Sequence, residues 1–206
     1  MKRLLLFLTI SLFANDETLV KIAPDTPYIM VEHNGVKVKI ARIQDVDNRL
    51  SDDYTKTSRE CPPFCIHPTS AEDGVETIAE LEFINYMKQK DTLIIDSRLK
   101  SWYELETIPS AINIPYTILE SSDKKSALKL FTALGAKMKK GGKVDFKNAK
   151  TLVLFCNGVW CDQSPKLIKA MVKFGYPKEK LKYYRSGFQG WKLLGLTTVV
   201  QKENKK

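Results

Sequence analysis

Residues 151–155, Thr-Leu-Val-Leu-Phe, form an apolar, strand-forming run that ends at a thiol, Cys156. The loop Asn157-Gly158-Val159-Trp160-Cys161-Asp162-Gln163 follows, and then Ser164-Pro165. Serine is a favoured N-cap and proline suits the first helical position, so a helix is predicted to start at Ser164. An apolar strand that runs through a short loop into a helix restricts the chain to folds in which strands and helices alternate. The same geometry aims successive backbone N–H groups, and the positive end of a helix dipole, at whatever occupies the loop. A thiol held there is expected to have a lowered pKa and to act as a nucleophile near neutral pH. The competing reading is a buried structural cysteine at a strand end, because free cysteines also pack as small hydrophobes.

The rest of the chain repeats the alternation. Tyr28–Glu32 and Val36–Ile43 flank Asn34-Gly35, the strongest short hairpin signal, which predicts an N-terminal β-hairpin within residues 20–45. Val75–Lys88 places Ile78, Leu81, Phe83, Ile84 and Met87 at helical spacing, with Glu76, Glu80 and Glu82 toward its start. Leu93–Ile95 reads as a short buried strand, Ile108–Pro115 as an extended run, and Ser126–Met138 as a helix ended by Gly141-Gly142. Pro165–Phe174 follows the loop as a helix stopped by Gly175, then Lys182–Tyr184 as the last strand and Phe188–Leu194 as a closing helix. Strands alternating with helices predict a parallel sheet with helices on both faces. Residues 120–150 are a lysine-rich elaboration between core elements.

Several motifs surround the strand-Cys-loop-helix unit in a fixed order. Asp91-Thr-Leu-Ile-Ile-Asp96-Ser-Arg98 leads into Trp102-Tyr103-Glu104, then Ile108-Pro109-Ser-Ala111-Ile-Asn113-Ile-Pro115. After the loop come Leu181-Lys-Tyr-Tyr-Arg185-Ser-Gly187-Phe-Gln-Gly-Trp191 and Leu193-Leu-Gly195-Leu. This order resembles the rhodanese (sulfurtransferase) domain, over roughly residues 74–196. The resemblance implies a parallel sheet with helices on both faces, and a catalytic Cys156 that takes the outer sulfur of a small donor as a persulfide. The sulfur then passes to a thiophilic acceptor, a thiol or protein thiol. Amides from Asn157 to Gln163 would hold the persulfide charge without a metal or a general base. Asp96 and Arg98 match the family's Asp-x-Arg and are assigned to positioning the loop; Arg185 stands where it offers a cation to an anionic donor, or serves as a structural arginine. Two departures stand out. Glu106-Thr107 replaces the Gly-His that often precedes the Ile-Pro, and the loop is longer than usual, with a second cysteine, an aspartate and no basic residue.

Cysteine phosphatases use a similar strand-Cys-loop-helix but need an arginine at the end of the loop to clamp phosphate. Asp162 occupies that position and would repel a dianion, which disfavours a phosphatase. The net charge of +9 raises nucleic-acid binding as a further possibility. Aromatic residues are sparse among the lysines and arginine is scarce, so the charge reads as a solvated surface and no nucleic-acid partner is expected.

Met1-Lys2-Arg3, the apolar run from Leu4 to Ala14 and the stop at Asn15-Asp16-Glu17 have the order of a secretory signal peptide, too short to span a bilayer. The expected organisation is a signal peptide at 1–14, an N-terminal extension at 15–73, the rhodanese-like domain at 74–200 and a basic tail at 201–206. Export to the periplasm, with no membrane insertion after signal removal, then sets the redox state of Cys61, Cys65, Cys156 and Cys161. Sequence proximity favours pairing Cys61 with Cys65 and Cys156 with Cys161. Cys61-Pro-Pro-Phe-Cys65 is either a structural disulfide or a redox pair facing the loop. Cys161 either resolves a persulfide or sulfenate on Cys156, which would make this a thiol-redox or sulfur-carrier protein, or is a bystander. Trp160 either walls an organic or protein substrate or packs under the loop. Neither pair has Cys-x₂-Cys spacing and only two histidines exist, so no metal or cofactor is expected.

Overall fold

The computed structural model describes residues 18–120 and 123–201. The signal peptide expected at 1–14 lies outside the described residues, as does the tail beyond residue 201. Strand β1 (Tyr28–His33) and strand β2 (Val36–Ala41) form the expected hairpin, in which Tyr28 faces Ala41 and His33 faces Val36. Asn34 and Gly35 both take positive φ, 50° and 77°, as a tight turn between twisted strands requires. Next come β3 (Glu76–Ile78), α1 (Glu80–Met87), β4 (Thr92–Asp96), α2 (Lys100–Leu105) and β5 (Ile112–Asn113). They are followed by α3 (Lys124–Ala133), β6 (Lys137–Met138), β7 (Val144–Asp145) and β8 (Thr151–Phe155). The chain closes with α4 (Gln163–Lys173), β9 (Leu181–Tyr184) and α5 (Gly187–Leu193). Among the described residues, five strands form a parallel sheet in the order β3-β9-β8-β4-β5. Strand β8, which feeds Cys156, is therefore central and paired on both edges.

The period of two along each strand divides the core into two layers. Leu152 and Leu154 of β8 pack on one face against Phe131 of α3 and against Leu167, Ile168 and Met171 of α4. Val153 and Phe155 pack on the other face, against Phe83 and Ile84 of α1, Phe188 and Trp191 of α5, and Ile29, Val31 and Ile40 of the hairpin. Each such side chain contributes about 1.5–3 kcal/mol by leaving water. The hairpin is thus a cover over α1 and α5. It is sewn to the end of the chain by the Thr197 amide donating to Ala41 O (3.0 Å) and by Arg42 Nε donating to Leu194 O (2.8 Å).

Four expected elements differ. The helix expected over Val75–Lys88 begins only at Glu80, because residues 76–78 pair with β9, Thr77 beside Tyr183. An open sheet edge outweighs helical spacing there. Of the extended run Ile108–Pro115, only Ile112–Asn113 joins the sheet; Pro109 has no amide to donate, and Ser110 reverses the chain at φ 68°. The helix expected over Ser126–Met138 ends at Ala133, and Gly135 (φ 94°) turns the chain where a Cβ would lie 2.6 Å from Asn148 O. Met138 then enters a two-stranded ribbon of β6 and β7, whose turn contains Gly142. Helix α4 starts at Gln163, not Ser164. Asp162 takes the cap position, its carbonyl accepting the Lys166 amide (2.9 Å) while its carboxylate pairs with the Lys166 ammonium (2.9 Å). Among the described residues no helix is long and apolar enough to cross a membrane.

Candidate active site

Cys156 stands at the carboxyl end of the central strand, where the sheet stops and residues 157–162 turn into α4. Its thiol is 1% exposed and donates to the carbonyl oxygen of Cys161 at 3.2 Å. The first turn of α5 grips the start of this loop. The amides of Phe188 and Gln189 donate to the carbonyl oxygens of Cys156 (2.8 Å) and Asn157 (2.9 Å). That approach requires glycine at 187, where φ is +60° and a Cβ would lie 2.6 Å from Cys156 O and 2.7 Å from Gly158 N. The Gln189 side chain crosses over Gly158 to accept from Trp160 Nε1 at 2.8 Å.

Asp96 and Arg98 form the expected ion pair, with Nε and Nη2 of the guanidinium both on the carboxylate at 2.7–3.2 Å and both residues buried. Thr107 Oγ1 donates to the same carboxylate (2.8 Å), so the residue at the atypical Thr107 position serves the pair. Arg98 Nη2 also donates to Glu106 O (2.6 Å). The pair does not touch the loop directly. Arg98 Nη1 donates to the Tyr54 hydroxyl (3.1 Å), that hydroxyl donates to Asn157 Oδ1 (3.1 Å), and Asn157 Nδ2 donates to Cys161 Sγ (3.6 Å). An unbroken chain of hydrogen bonds, part-buried at Tyr54, thus runs from Asp96 to the second cysteine. Tyr54 belongs to the N-terminal extension, and Gln189 Nε2 holds its carbonyl oxygen (2.8 Å).

The extension continues as a strap over the loop. Cys61 and Cys65 form a disulfide with Cα atoms 4.7 Å apart. Phe64, between them, packs edge-on to Trp160 with ring centroids 5.5 Å apart, and the Arg59 guanidinium lies 3.9 Å from the Trp160 ring. The His67 amide donates to Val159 O (2.9 Å). Arg185 is committed to the same strap: Nη2 donates to His67 O (2.7 Å) and Nε to Pro68 O (3.1 Å). Trp160 is left 8% exposed.

The two thiols differ electrostatically. Burial pushes the Cys156 thiol well above the ordinary range, and the adjoining Cys161 sulfur pushes it further, against the pull of Ser164. The sequence led to the opposite expectation, a lowered pKa at Cys156; desolvation by the closed loop and strap outweighs the helix terminus. Burial also acts to raise Cys161. There the Cys156 thiol, the amides of Asn157 and Gln163 and the Asn157 side chain outweigh it, so Cys161 lies below the ordinary thiol range. The loop amides expected to serve Cys156 are therefore divided between two sulfurs. Burial, with both cysteines adding to it, keeps the Tyr183 phenol protonated beside them; its hydroxyl has no hydrogen-bond partner among the described residues.

The structure brings together Cys156, Asn157, Gly158, Trp160, Cys161 and Gln163. It connects Asp96 and Arg98 to them through Tyr54, points Asp162 at Lys166, and spends Val159 and Arg185 on the strap. Sequence reasoning missed Tyr54, Phe64, Thr107, Tyr183 and Gln189. Only Tyr54 carried no signal: Phe64 lies between the paired Cys61 and Cys65, Thr107 in the departure before Ile108, and Tyr183 and Gln189 in the Leu181–Trp191 motif.

Residues 80–194 match the model of the Rhodanese-like domain, more than half of the chain. Similar solved structures include the human single domain sulfurtransferase TSTD1, 20% identical over 57% of this chain and 95% of that one, with a TM-score of 0.40. Thiosulfate sulfurtransferase from Pseudomonas aeruginosa is 17% identical over 65% of this chain and 22% of that one, TM-score 0.43. The BH2092 protein from Bacillus halodurans is 17% identical over 57% and 71%, TM-score 0.41. A search of curated proteins gives no match.

Proposed function

We propose that this chain, which belongs to the rhodanese-like domain family, is a sulfurtransferase that carries a sulfane sulfur as a persulfide on Cys156. The observation that carries the reading is the position of Cys156 at the carboxyl end of the central strand, where residues 157–162 turn into α4. The Cys156 sulfur attacks the outer sulfur of a donor such as thiosulfate. A bond forms between the two sulfurs, the donor's own S–S bond breaks, and sulfite leaves with the bonding pair. The proton of the thiol ends on the persulfide. A thiophilic acceptor, cyanide or a protein thiol, then takes the outer sulfur and regenerates Cys156.

With the strap closed the thiol is buried and protonated, so attack calls for the strap and loop to open and admit both donor and water. Residues 157–163 carry no basic side chain, which gives small dianions a weak hold. Trp160 and Phe64 at the mouth favour an organic or protein-borne sulfur donor. Thiosulfate treatment of the reduced protein is expected to add one sulfur atom to Cys156 by intact mass, lost on adding cyanide. An undiminished adduct in Cys156→Ser would overturn the assignment.

We assign this chemistry to the periplasm. The basic, apolar, acidic order of residues 1–17 and the Cys61–Cys65 disulfide support export. N-terminal sequencing of the protein from a fractionated host is expected to start after about residue 14, the end of a short apolar h-region. Intact Met1 in the soluble cytoplasm would refute it.

A further inference from the structure

We propose that Cys161 discharges the Cys156 persulfide within the protein, releasing hydrosulfide and leaving a Cys156–Cys161 disulfide that an external dithiol reopens. This inference rests on the persulfide reading above and adds to it a product and a class of partner. Three observations carry it. Cys156, Cys161 and Trp160 pack together in a cluster of their own, separate from the two cores of the sheet. The thiol of Cys156 lies against Cys161, donating to its carbonyl oxygen at 3.2 Å. The Cys161 sulfur is also provided with a donor, Asn157 Nδ2 at 3.6 Å, whose amide is fixed by Tyr54 and, through it, by the buried Asp96–Arg98 pair. A cysteine that merely fills space needs no donors; one that must react as a thiolate does.

The chemistry balances. After loading, Cys156 bears an S–SH group, and Cys161, held below the ordinary thiol range, attacks as its thiolate after releasing its proton to water. The Cys161 sulfur attacks Cys156 Sγ, the new S–S bond forms, and the bond to the outer sulfur breaks. That sulfur departs with the bonding pair and its own proton as hydrosulfide. The sulfane sulfur is reduced by two electrons and the cysteine pair is oxidised by the same two. A dithiol reductant then reopens the disulfide by exchange and is itself oxidised. The loop must shift for the disulfide to close, because the amides of Asn157 and Gln163 now facing Cys161 cannot keep their places around a bonded pair.

The test is a single turnover of the reduced, desalted full chain with thiosulfate under anaerobic conditions, with no thiol present. Sulfite reports loading and sulfide reports discharge. Sulfide equal in amount to sulfite is expected, together with a Cys156–Cys161 disulfide on peptide mapping. Cys161→Ser is expected to lose sulfide release and to retain the added sulfur on Cys156. A second addition of thiosulfate to the wild type should give no further sulfite until a dithiol is supplied. Sulfite without sulfide, with Cys161 free in the map, would overturn this inference and leave the transferase reading standing. Absence of any added sulfur on Cys156, with thiosulfate and equally with an organic persulfide as donor, would remove both.

Discussion

Replacing Tyr54 with Phe deletes one oxygen, yet in this structure that oxygen joins the N-terminal extension, the Asp96–Arg98 pair and the cysteine loop. Arg98 Nη1 donates to it at 3.1 Å, and it donates to Asn157 Oδ1 at 3.1 Å. Arg98 and Asn157 are both buried, at 1% and 3% exposure, so water cannot replace the lost partner without opening the site. Removing an acceptor from a buried charged donor costs about 1.5–3 kcal/mol, and the unsatisfied neutral amide oxygen adds about 1 kcal/mol. The ring itself stays, keeping its edge contact with Phe188 at 5.3 Å, so no cavity adds to the loss. About 3 kcal/mol is therefore expected, which lowers Tm by about 6–12 °C in a chain of this size. Scanning calorimetry of Tyr54→Phe against wild type measures it directly. A second readout follows from the far end of the relay. Once Asn157 loses its tether, its donation to Cys161 slackens, and the Cys161 thiolate absorbance should titrate at higher pH than in wild type. A Tm within about 2 °C of wild type, below what one lost hydrogen bond to a charged group removes, together with an unmoved thiolate titration, would refute the relay.

Other consequences are as direct. Gly187→Ala should destabilise by at least about 2 kcal/mol, from the left-handed backbone and a Cβ 2.6 Å from Cys156 O, whereas Gly175→Ala, at φ +98° in open space, should cost only about 1–2 kcal/mol by urea midpoint. Equal costs at the two sites would show that the loop yields to the clash. Removing the disulfide with Cys61→Ala/Cys65→Ala should lower stability by about 2 kcal/mol, the chain-entropy value for so short a loop. In the same variant Cys156 should alkylate faster, because Phe64 no longer holds Trp160; an unchanged rate would mean that the strap does not gate the thiol. Burial lowers the pKa of His33, outweighing its bond to Gln201, while its Nδ1 accepts the Ser110 amide at 3.1 Å. The unfolded chain then binds the extra proton, so stability should be full above the ordinary histidine pKa of 6.5 and decline as pH falls below it. His33→Gln should flatten that slope between about pH 7 and pH 5; an identical slope would place the titration elsewhere.

What the sequence revealed was the part of the fold written in local periods. The central strand, its alternating side chains, the turn at Asn34-Gly35 and the helix after Cys156 each follow from residues a few positions apart, and each formed. The failures share a cause. Residues 76–78 became a strand only because the edge of β9 lies beside them, more than a hundred positions on in the chain. Gly135, and not Gly141-Gly142, stops α3, because Asn148 O crowds that turn from another element. At the site the limit was the same. The Asp96–Arg98 pair was legible as a motif, whereas Tyr54 sits in a polar turn with nothing in its neighbourhood to mark it, and reaches Asn157 only through the tertiary fold. The pKa order of the two cysteines was hidden for another reason. Spacing indicates how many amides a loop has, but not which sulfur they face or how much water the strap excludes.

The strap also bears on how often the site can react. Its hold on the loop consists of one hydrogen bond from His67 to Val159, two from Arg185 to the strap's own carbonyl oxygens, the Phe64–Trp160 contact and Arg59 over Trp160. Each is worth about 0.5–1.5 kcal/mol. Ordering the strap offsets part of that sum, which leaves a few kcal/mol in favour of closure and an open fraction on the order of 0.1–10%. The rate of any reaction at Cys156 is scaled down by that fraction, unless the reactant itself binds the open form better. A small dianion has no basic side chain in residues 157–163 with which to do so. Under the proposed function, closure would slow small donors, since it leaves Cys156 1% and Cys161 5% exposed.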